Sequence, residues 1–306
     1  MVNFDPAKDI PDLSNKVIIV TGGNAGLGKE TVRILASHNA KAIYMASRTQ
    51  SKAETAITEI KKDYPNANIH FLPIDLTDFT SISAAAQIFT SQSDRLDILV
   101  NNAGIMNGPY SETKQGYEIQ FGTNHMGHAL LTKLLLPTLL RTAEASTSDV
   151  RVVNLSSSAI GLTGLMNGIT TSTPSLKGKW TFIRYGNSKL ANLLHARGLA
   201  ERHPQLTATS VHPGFVATNL FSNTQKQGGN GLVDRLFRSV QGWFSTADVG
   251  ARNQLWAMFG DRREVRKGFY FVPVGKTDFT GNYFGSKKQA DRLWEFTEGE
   301  LEKKGY

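Results

Sequence analysis

Tyr185 and Lys189 stand four residues apart, a spacing that places both side chains on one face of a helix. An ammonium close to a phenol favours the phenolate and lowers its pKa from about 10, so a tyrosine in that setting gives or takes a proton near neutral pH. The spacing alone is weak, because Tyr110 with Lys114 and Tyr283 with Lys287 share it. Context separates the three. Only Tyr185 opens a long apolar-periodic segment, and only Tyr185 follows a strand pattern ending in hydroxyls, Asn154-Leu155-Ser156-Ser157-Ser158. A serine at the carboxyl end of such a strand can hydrogen-bond a carbonyl oxygen as charge develops on it.

A second constellation concerns anions. Thr21-Gly22-Gly23-Asn24-Ala25-Gly26-Leu27-Gly28 joins a β-branched run to a helical pattern. Glycine admits the tight turn, the missing Cβ lets the backbone approach a pyrophosphate, and the unpaired N–H groups of the helix N-terminus point at it. In that context the turn reads as a dinucleotide site. About twenty residues further on comes the position that reads the adenosine ribose. It is occupied here by Ser47-Arg48. An acidic residue would repel a 2′-phosphate, whereas the planar cation of Arg48 pairs with one, so the residues predict NADP(H) rather than NAD(H).

The elements that must hold these groups alternate between short β-branched runs and helical periods, the pattern of βαβ units with a parallel sheet. Strands are predicted at Val17–Thr21, Ala42–Ala46, Ile69–Ile74, Ile98–Asn101, Arg151–Leu155, Ala208–His212 and Phe269–Val272. Helices are predicted near Lys29–His38, Lys52–Lys62, Phe79–Ser91, Thr113–Thr142 and Tyr185–Arg202. The expected architecture is a single-domain α/β Rossmann fold over residues 1–306, a doubly wound, mainly parallel, seven-stranded sheet with helices on both faces. No linker divides the chain. Residues 158–183 fit no element, residues 219–247 read as a lid over the site, and residues 286–306 read as a helical tail docked on the surface.

The chain has 306 residues, no cysteine and a formal net charge of +8. The missing cysteines exclude disulfides, thiolate catalysis and cysteine metal sites, and they fit a reducing, cytoplasmic setting; no metal is expected. No secretory signal is read in Met1–Lys16, which carries Asp5, Asp9 and Asp12 and is broken by Pro6 and Pro11. The apolar stretch Ala129–Leu140 is too short to span a bilayer and reads as a core helix. A basic surplus admits nucleic acid as a partner, but the most basic stretch, Arg252–Lys267, alternates its cations with acids, so none is expected.

Taken together, these motifs resemble the short-chain dehydrogenase/reductase family over about residues 16–275. They comprise Thr21 to Gly28, Asp75-Leu76, Asn101-Asn102-Ala103-Gly104, Asn124, the serine run, Tyr185 with Lys189, and Pro213-Gly214. Asn124-His125-Met126-Gly127-His128 and Asn187-Ser188-Lys189-Leu190-Ala191-Asn192 are most similar to the branch of retinol dehydrogenases, WW-domain oxidoreductases and related fungal reductases.

The resemblance implies Tyr185 as general acid/base, Lys189 as its pKa-lowering partner and ribose ligand, and Asn124 as keeper of a water in a proton relay. Ser157 would orient the carbonyl, with Ser156 and Ser158 as alternates. Asp75 would meet the adenine amino group and Leu76 its edge, with Asn102, Ala103 and Gly104 on the adenosine side. Pro213, Val216 and Thr218 would reach the nicotinamide amide and the phosphates. Family members often pair through helices equivalent to Thr113–Thr142 and Tyr185–Arg202, which implies a homodimer or homotetramer. The N-terminal anchor of membrane-bound retinol dehydrogenases has no counterpart in the sequence, so retinoid chemistry on a membrane is not implied.

The expected activity is hydride transfer between a nicotinamide and a small-molecule carbonyl or alcohol. Ile105, Met106, Leu162, Leu165, Met166, Phe215, Phe221, Trp243 and Phe244 lie on loops expected near the carboxyl edge, and they suggest a lipophilic ketone, aldehyde or polyketide-like substrate. The competing reading is an NADP-binding regulator that has lost catalysis. It would break the catalytic set, yet Asn124, Ser157, Tyr185 and Lys189 are all present.

Overall fold

Seven of the described strands pair in parallel, and the five central ones are buried on both sides, as parallel pairing favours. A computed structural model describes residues 2–106, 108–145, 149–216 and 245–306. The strands are β1 Val17–Thr21, β2 Ala42–Ser47, β3 Ile69–Pro73, β4 Ile98–Asn101, β5 Arg151–Leu155, β6 Thr207–Val211, β7 Tyr270–Val272 and β8 Lys276–Thr277. They form one sheet in the order β3-β2-β1-β4-β5-β6-β7-β8. The mainly parallel sheet is as expected, with an eighth strand added at its edge among the described residues. That strand is a two-residue antiparallel return from β7, exposed along its length, and so leaves no apolar signal to read.

The longer helices are α1 Gly26–Ser37, α2 Gln50–Asp63, α3 Phe79–Gln92, α4 Gly127–Glu144, α5 Thr181–Arg202, α6 Ala247–Phe259 and α7 Lys287–Lys303. One face of the sheet packs on α3, α4 and α5 through Phe89, Leu130, Leu135, Leu190 and Leu194, and Leu293 of α7 joins that apolar cluster from outside α5. The other packs on α1, α2 and α6 through Val32, Leu35, Ile60, Leu255 and Trp256. Among the described residues no helix is long and apolar enough to cross a membrane. No cluster of metal-ligating side chains is present among them either.

Several ends shift by one to four residues, α5 for example starting at Thr181 rather than Tyr185, and two departures are larger. The helix predicted from Thr113 begins only at Ile119, where Glu118 caps the N–H groups of Gln120 and Phe121, and it passes through a π-helical turn at Gly122–Met126 before α4. Residues 113–118 instead form a turn with Gly116 at φ +84°, closed by a bridge between Glu112 and Glu118. The unassigned stretch 158–183 contains a 3₁₀ helix at Ser158–Met166 and a short helix at Thr173–Lys177. Asn187 fastens it to α5, donating to the Thr170 carbonyl and accepting from the Thr170 amide.

The tail is the helix α7. Trp294 stacks on His195 of α5 at 5.6 Å, and Thr297 meets His125 Nε2 at 3.0 Å. Lys133 of α4 pairs with Glu298, and Arg202 of α5 with Asp291. The helix thus lies across α4 and α5.

His125, His128, His195 and His212 are buried, and burial holds every one of them below the ordinary value of 6.5, at about 3 for His128 and about 4 for His195 and His212. An unfolded chain takes up protons below pH 6.5 that these rings refuse, so stability is complete above that pH and falls as pH drops toward the folded values. Each ring costs up to roughly 1.4 kcal/mol per pH unit in this window. Calorimetric Tm should therefore be level from pH 8 to 7 and fall steadily from 6.5 to 5, before most carboxylates titrate. A flat profile would mean that the rings are solvated.

Candidate active site

The carboxyl ends of β1, β4 and β5 meet where the strand order reverses between β1 and β4, the place at which open α/β sheets hold ligands. At the end of β1 the chain turns through Gly22 at φ +66° and Gly26 at φ +52°, angles that favour glycine. A Cβ on Gly28 would fall on the Gly22 carbonyl oxygen, so the third glycine is a packing requirement between α1 and the turn. The N-cap of α1, Ala25, offers no side-chain bond, which leaves the first N–H groups of the helix uncapped. Asn24 and Leu27 are half-buried in this turn.

The end of β4 locks to that turn. Asn102 Nδ2 donates to the Thr21 carbonyl at 2.7 Å and the Ala103 amide donates to Thr21 Oγ1 at 2.9 Å. Asn102 Oδ1 is buried without a partner. A Cβ on Gly104 would sit 3.2 Å from Lys189 Nζ and 3.3 Å from Asn124 Oδ1, so this glycine brings the β4 end against the catalytic candidates. The Asn124 side chain sits in the π-helical turn. It accepts from the Ile105 amide at 2.8 Å and donates to the Ile105 carbonyl at 3.0 Å and to Ser188 Oγ at 2.9 Å.

Tyr185 lies one turn into α5, buried, with Ser157 near enough to act on its hydroxyl. The other two serines are placed differently. Ser156 is buried and donates to the Lys189 carbonyl at 2.8 Å, and Ser158 is exposed. Lys189 Nζ lies 5.7 Å from the centre of the Tyr185 ring and donates to the Leu155 carbonyl at 3.0 Å. The expected lowering of the phenol pKa does not follow from this arrangement. Burial dominates both groups and favours the neutral form of each, pushing Tyr185 up to about 12 against the opposing influence of Ser157 and Lys189 down to about 8.

The two rival tyrosine–lysine pairs fall apart. Tyr110 bonds Glu112 while Lys114 pairs with Asp78, and neither residue lies in a helix. Tyr283 and Lys287 belong to different helices.

The remaining residues ring the same edge. Arg48 is exposed just past β2 and forms no ion pair with a described residue. Asp75 holds the amide and hydroxyl of Thr77 through Oδ1, while Asp78 caps α3, so Asp75 is not the helix cap. Leu76 is buried, and its carbonyl packs against Gly127. Beyond β6, Pro213 and Gly214 lead to Val216, which is buried and bridges to Ser245. Thr218, Phe221, Trp243 and Phe244, with residues 219–244 of the expected lid 219–247, lie outside the described residues.

Some members of the site left no mark in the motif reading. Arg184, next to Tyr185, is buried in a bond to Glu118 at 3.1 Å and to the Gly108 carbonyl at 2.9 Å, pinning the start of α5 to the chain beyond β4. Asn192, contained in the family-like motif but given no role there, joins Lys189 on the Leu155 carbonyl at 2.8 Å. Trp180 is exposed beside Phe182, their rings 4.7 Å apart. An aromatic pair just ahead of the Tyr185 helix was the available signal.

An uncapped helix N-terminus behind glycines, an orphaned buried amide oxygen and a buried ammonium with one protein acceptor suit a pyrophosphate, a nucleoside and its sugar hydroxyls, so the residues fit a dinucleotide. Fold and site together define a Rossmann-type oxidoreductase. The family model "short chain dehydrogenase" matches residues 16–229. Short-chain dehydrogenase/reductase drtF of Aspergillus calidoustus is 39% identical over 96% of both chains. Retinol dehydrogenase 12 of Mus musculus is 39% identical over 92% of this chain and 85% of its own. A solved structure from Mycobacterium paratuberculosis, 29% identical, superposes with a TM-score of 0.69 over 98% of this chain and 97% of that one. The chain belongs to the short-chain dehydrogenase/reductase family.

Gly28→Ala should lower stability by about 1–3 kcal/mol in denaturant titrations, since the added methyl meets backbone that cannot swing away. An unchanged midpoint would mean that the turn has room to spare.

Proposed function

We propose that the protein is an NADP(H)-dependent oxidoreductase acting on the carbonyl or carbinol carbon of a lipophilic ketone, aldehyde or alcohol. The observation that carries this reading is the buried Tyr185 with Lys189 Nζ 5.7 Å from its ring centre and Ser157 near its hydroxyl. The dinucleotide, when bound, supplies or accepts hydride at nicotinamide C4.

The protein's own residues do the rest. Gly22, Asn24, Gly26, Leu27 and Gly28 hold the pyrophosphate with backbone N–H groups, and Arg48 pairs with the 2′-phosphate. Asp75 and Leu76 take the adenine, and Asn102, Ala103 and Gly104 the adenosine side. Pro213, Val216 and Thr218 take the nicotinamide end. Lys189 turns the donors not given to Leu155 toward the ribose. Asn124 keeps a water between Lys189 and solvent. Tyr185 passes the proton to the substrate oxygen while Ser157 holds that oxygen by a second hydrogen bond. Because burial keeps the phenol protonated up to about 12, neutral solution presents the donor, the form that reduction needs.

The exposed apolar side chains Ile105, Trp180, Phe215 and Tyr283 support a lipophilic substrate. The name of retinol dehydrogenase 12, given to an apolar-alcohol enzyme, points the same way.

Tyr185→Phe should cut kcat by about 10²–10⁴-fold in NADPH-oxidation assays across a carbonyl panel while NADPH binding stays within a few-fold. Near wild-type kcat would place the proton elsewhere. Arg48→Asp should shift the NADPH/NADH preference in kcat/KM by roughly 10–100-fold toward NADH, the worth of a charge-assisted phosphate contact. A constant ratio would remove Arg48 from cofactor selection.

A further inference from the structure

A chain of hydrogen bonds with a buried histidine at its centre joins the two halves of the site. His128 opens α4 and is 2% exposed. Its Nδ1 lies 2.9 Å from the Asn124 carbonyl oxygen. A carbonyl only accepts, so Nδ1 carries the proton and Nε2 offers a lone pair. Nε2 is 2.9 Å from Thr21 Oγ1, nearer than the other acceptor for that hydroxyl, the Val100 carbonyl at 3.3 Å. Thr21 therefore donates to the imidazole and in turn accepts the Ala103 amide at 2.9 Å.

On the other side, Asn124 Nδ2 donates to Ser188 Oγ at 2.9 Å, and the Ser188 hydroxyl donates to the Tyr185 carbonyl at 2.7 Å. The ends of β1 and β4, the π-helical turn and the Tyr185 turn of α5 are thus tied in sequence. Of the two neutral tautomers, the one with its proton on Nδ1 is the one that satisfies both neighbours. Burial supplies that neutrality by holding the ring at about 3, and the buried Lys189 cation acts in the same sense.

We infer that His128 is a positioning residue, which sets the glycine-rich turn and the Tyr185–Lys189 helix in register through one imidazole tautomer. The inference rests on the reading of those two segments as the nucleotide and proton-transfer halves of one site. A histidine that merely filled the core would affect stability and nothing else.

The test uses the full-length protein, ¹⁵N NMR of the imidazole, NADPH titration by tryptophan fluorescence, and turnover. Wild type should show the Nδ1–H tautomer without titration between pH 8 and 5. His128→Phe should weaken NADPH binding and lower kcat, each by about tenfold, the value of roughly one lost buried hydrogen bond per side. His128→Asn can still donate to the Asn124 carbonyl but does not reach Thr21, so it should recover kcat more than NADPH affinity. His128→Gln, which reaches Thr21, should do the reverse.

If His128→Phe does not fold, the tautomer and the Asn and Gln variants decide. An Nε2–H tautomer would overturn the inference. So would variants that lower Tm but keep Kd and kcat within about twofold of wild type. A wild type that binds no NADPH sinks the functional reading instead, and that result is read before any variant is made.

Discussion

The Leu155 carbonyl oxygen takes a hydrogen bond from Lys189 Nζ and another from Asn192 Nδ2, and this paired acceptance fixes the catalytic helix to the end of β5. A backbone carbonyl at a strand terminus has lost its ladder partner and, once buried, must find another. Here it finds two side chains one turn apart on α5. That sets both the height and the rotation of the helix. Ser156 adds the reciprocal bond, donating to the Lys189 carbonyl, so strand and helix exchange contacts in both directions. Tyr185 then comes to Ser157 because of where Lys189 and Asn192 are tied.

The parts of the site that strands and short motifs specify were legible in the sequence. Apolar β-branched runs mark buried parallel strands whatever surrounds them, and the predicted boundaries at β1, β4 and β5 coincide with those observed. The glycine turn could be read because two of its glycines need positive φ and a third lacks room for a methyl. The serine run left three alternatives, since period alone cannot say which hydroxyl turns inward. The fold separates them by giving Ser156 an acceptor beneath it and Ser158 to solvent.

Tertiary burial was not legible. The spacing of Tyr185 and Lys189 suggested a charge effect, but the side chains are sealed so well that desolvation governs both. The start of the helix before α4 was misplaced for a related reason. Residues 113–118 carry enough polar and helical character to continue the pattern, yet Glu118 is drawn inward by Arg184 and becomes the cap. The net charge of +8 also changes meaning. Arg151 bonds the carbonyls of Ala257 and Gly260, and Arg266 those of Pro204 and Leu206, so cations in the basic stretch and beside it serve as struts between loops.

The position of α7 has a consequence for assembly. The helix pair that carries Asn124's neighbourhood and Tyr185 is also the pair that resemblance assigned to subunit contact, and in this chain Trp294, Thr297, Glu298 and Asp291 already occupy it. Two copies approaching on that side would meet through the outward residues of the last helix. A change on the outward face of α7 would then alter a meeting of copies while Tyr185, Lys189 and Asn124, all on other elements, keep their places.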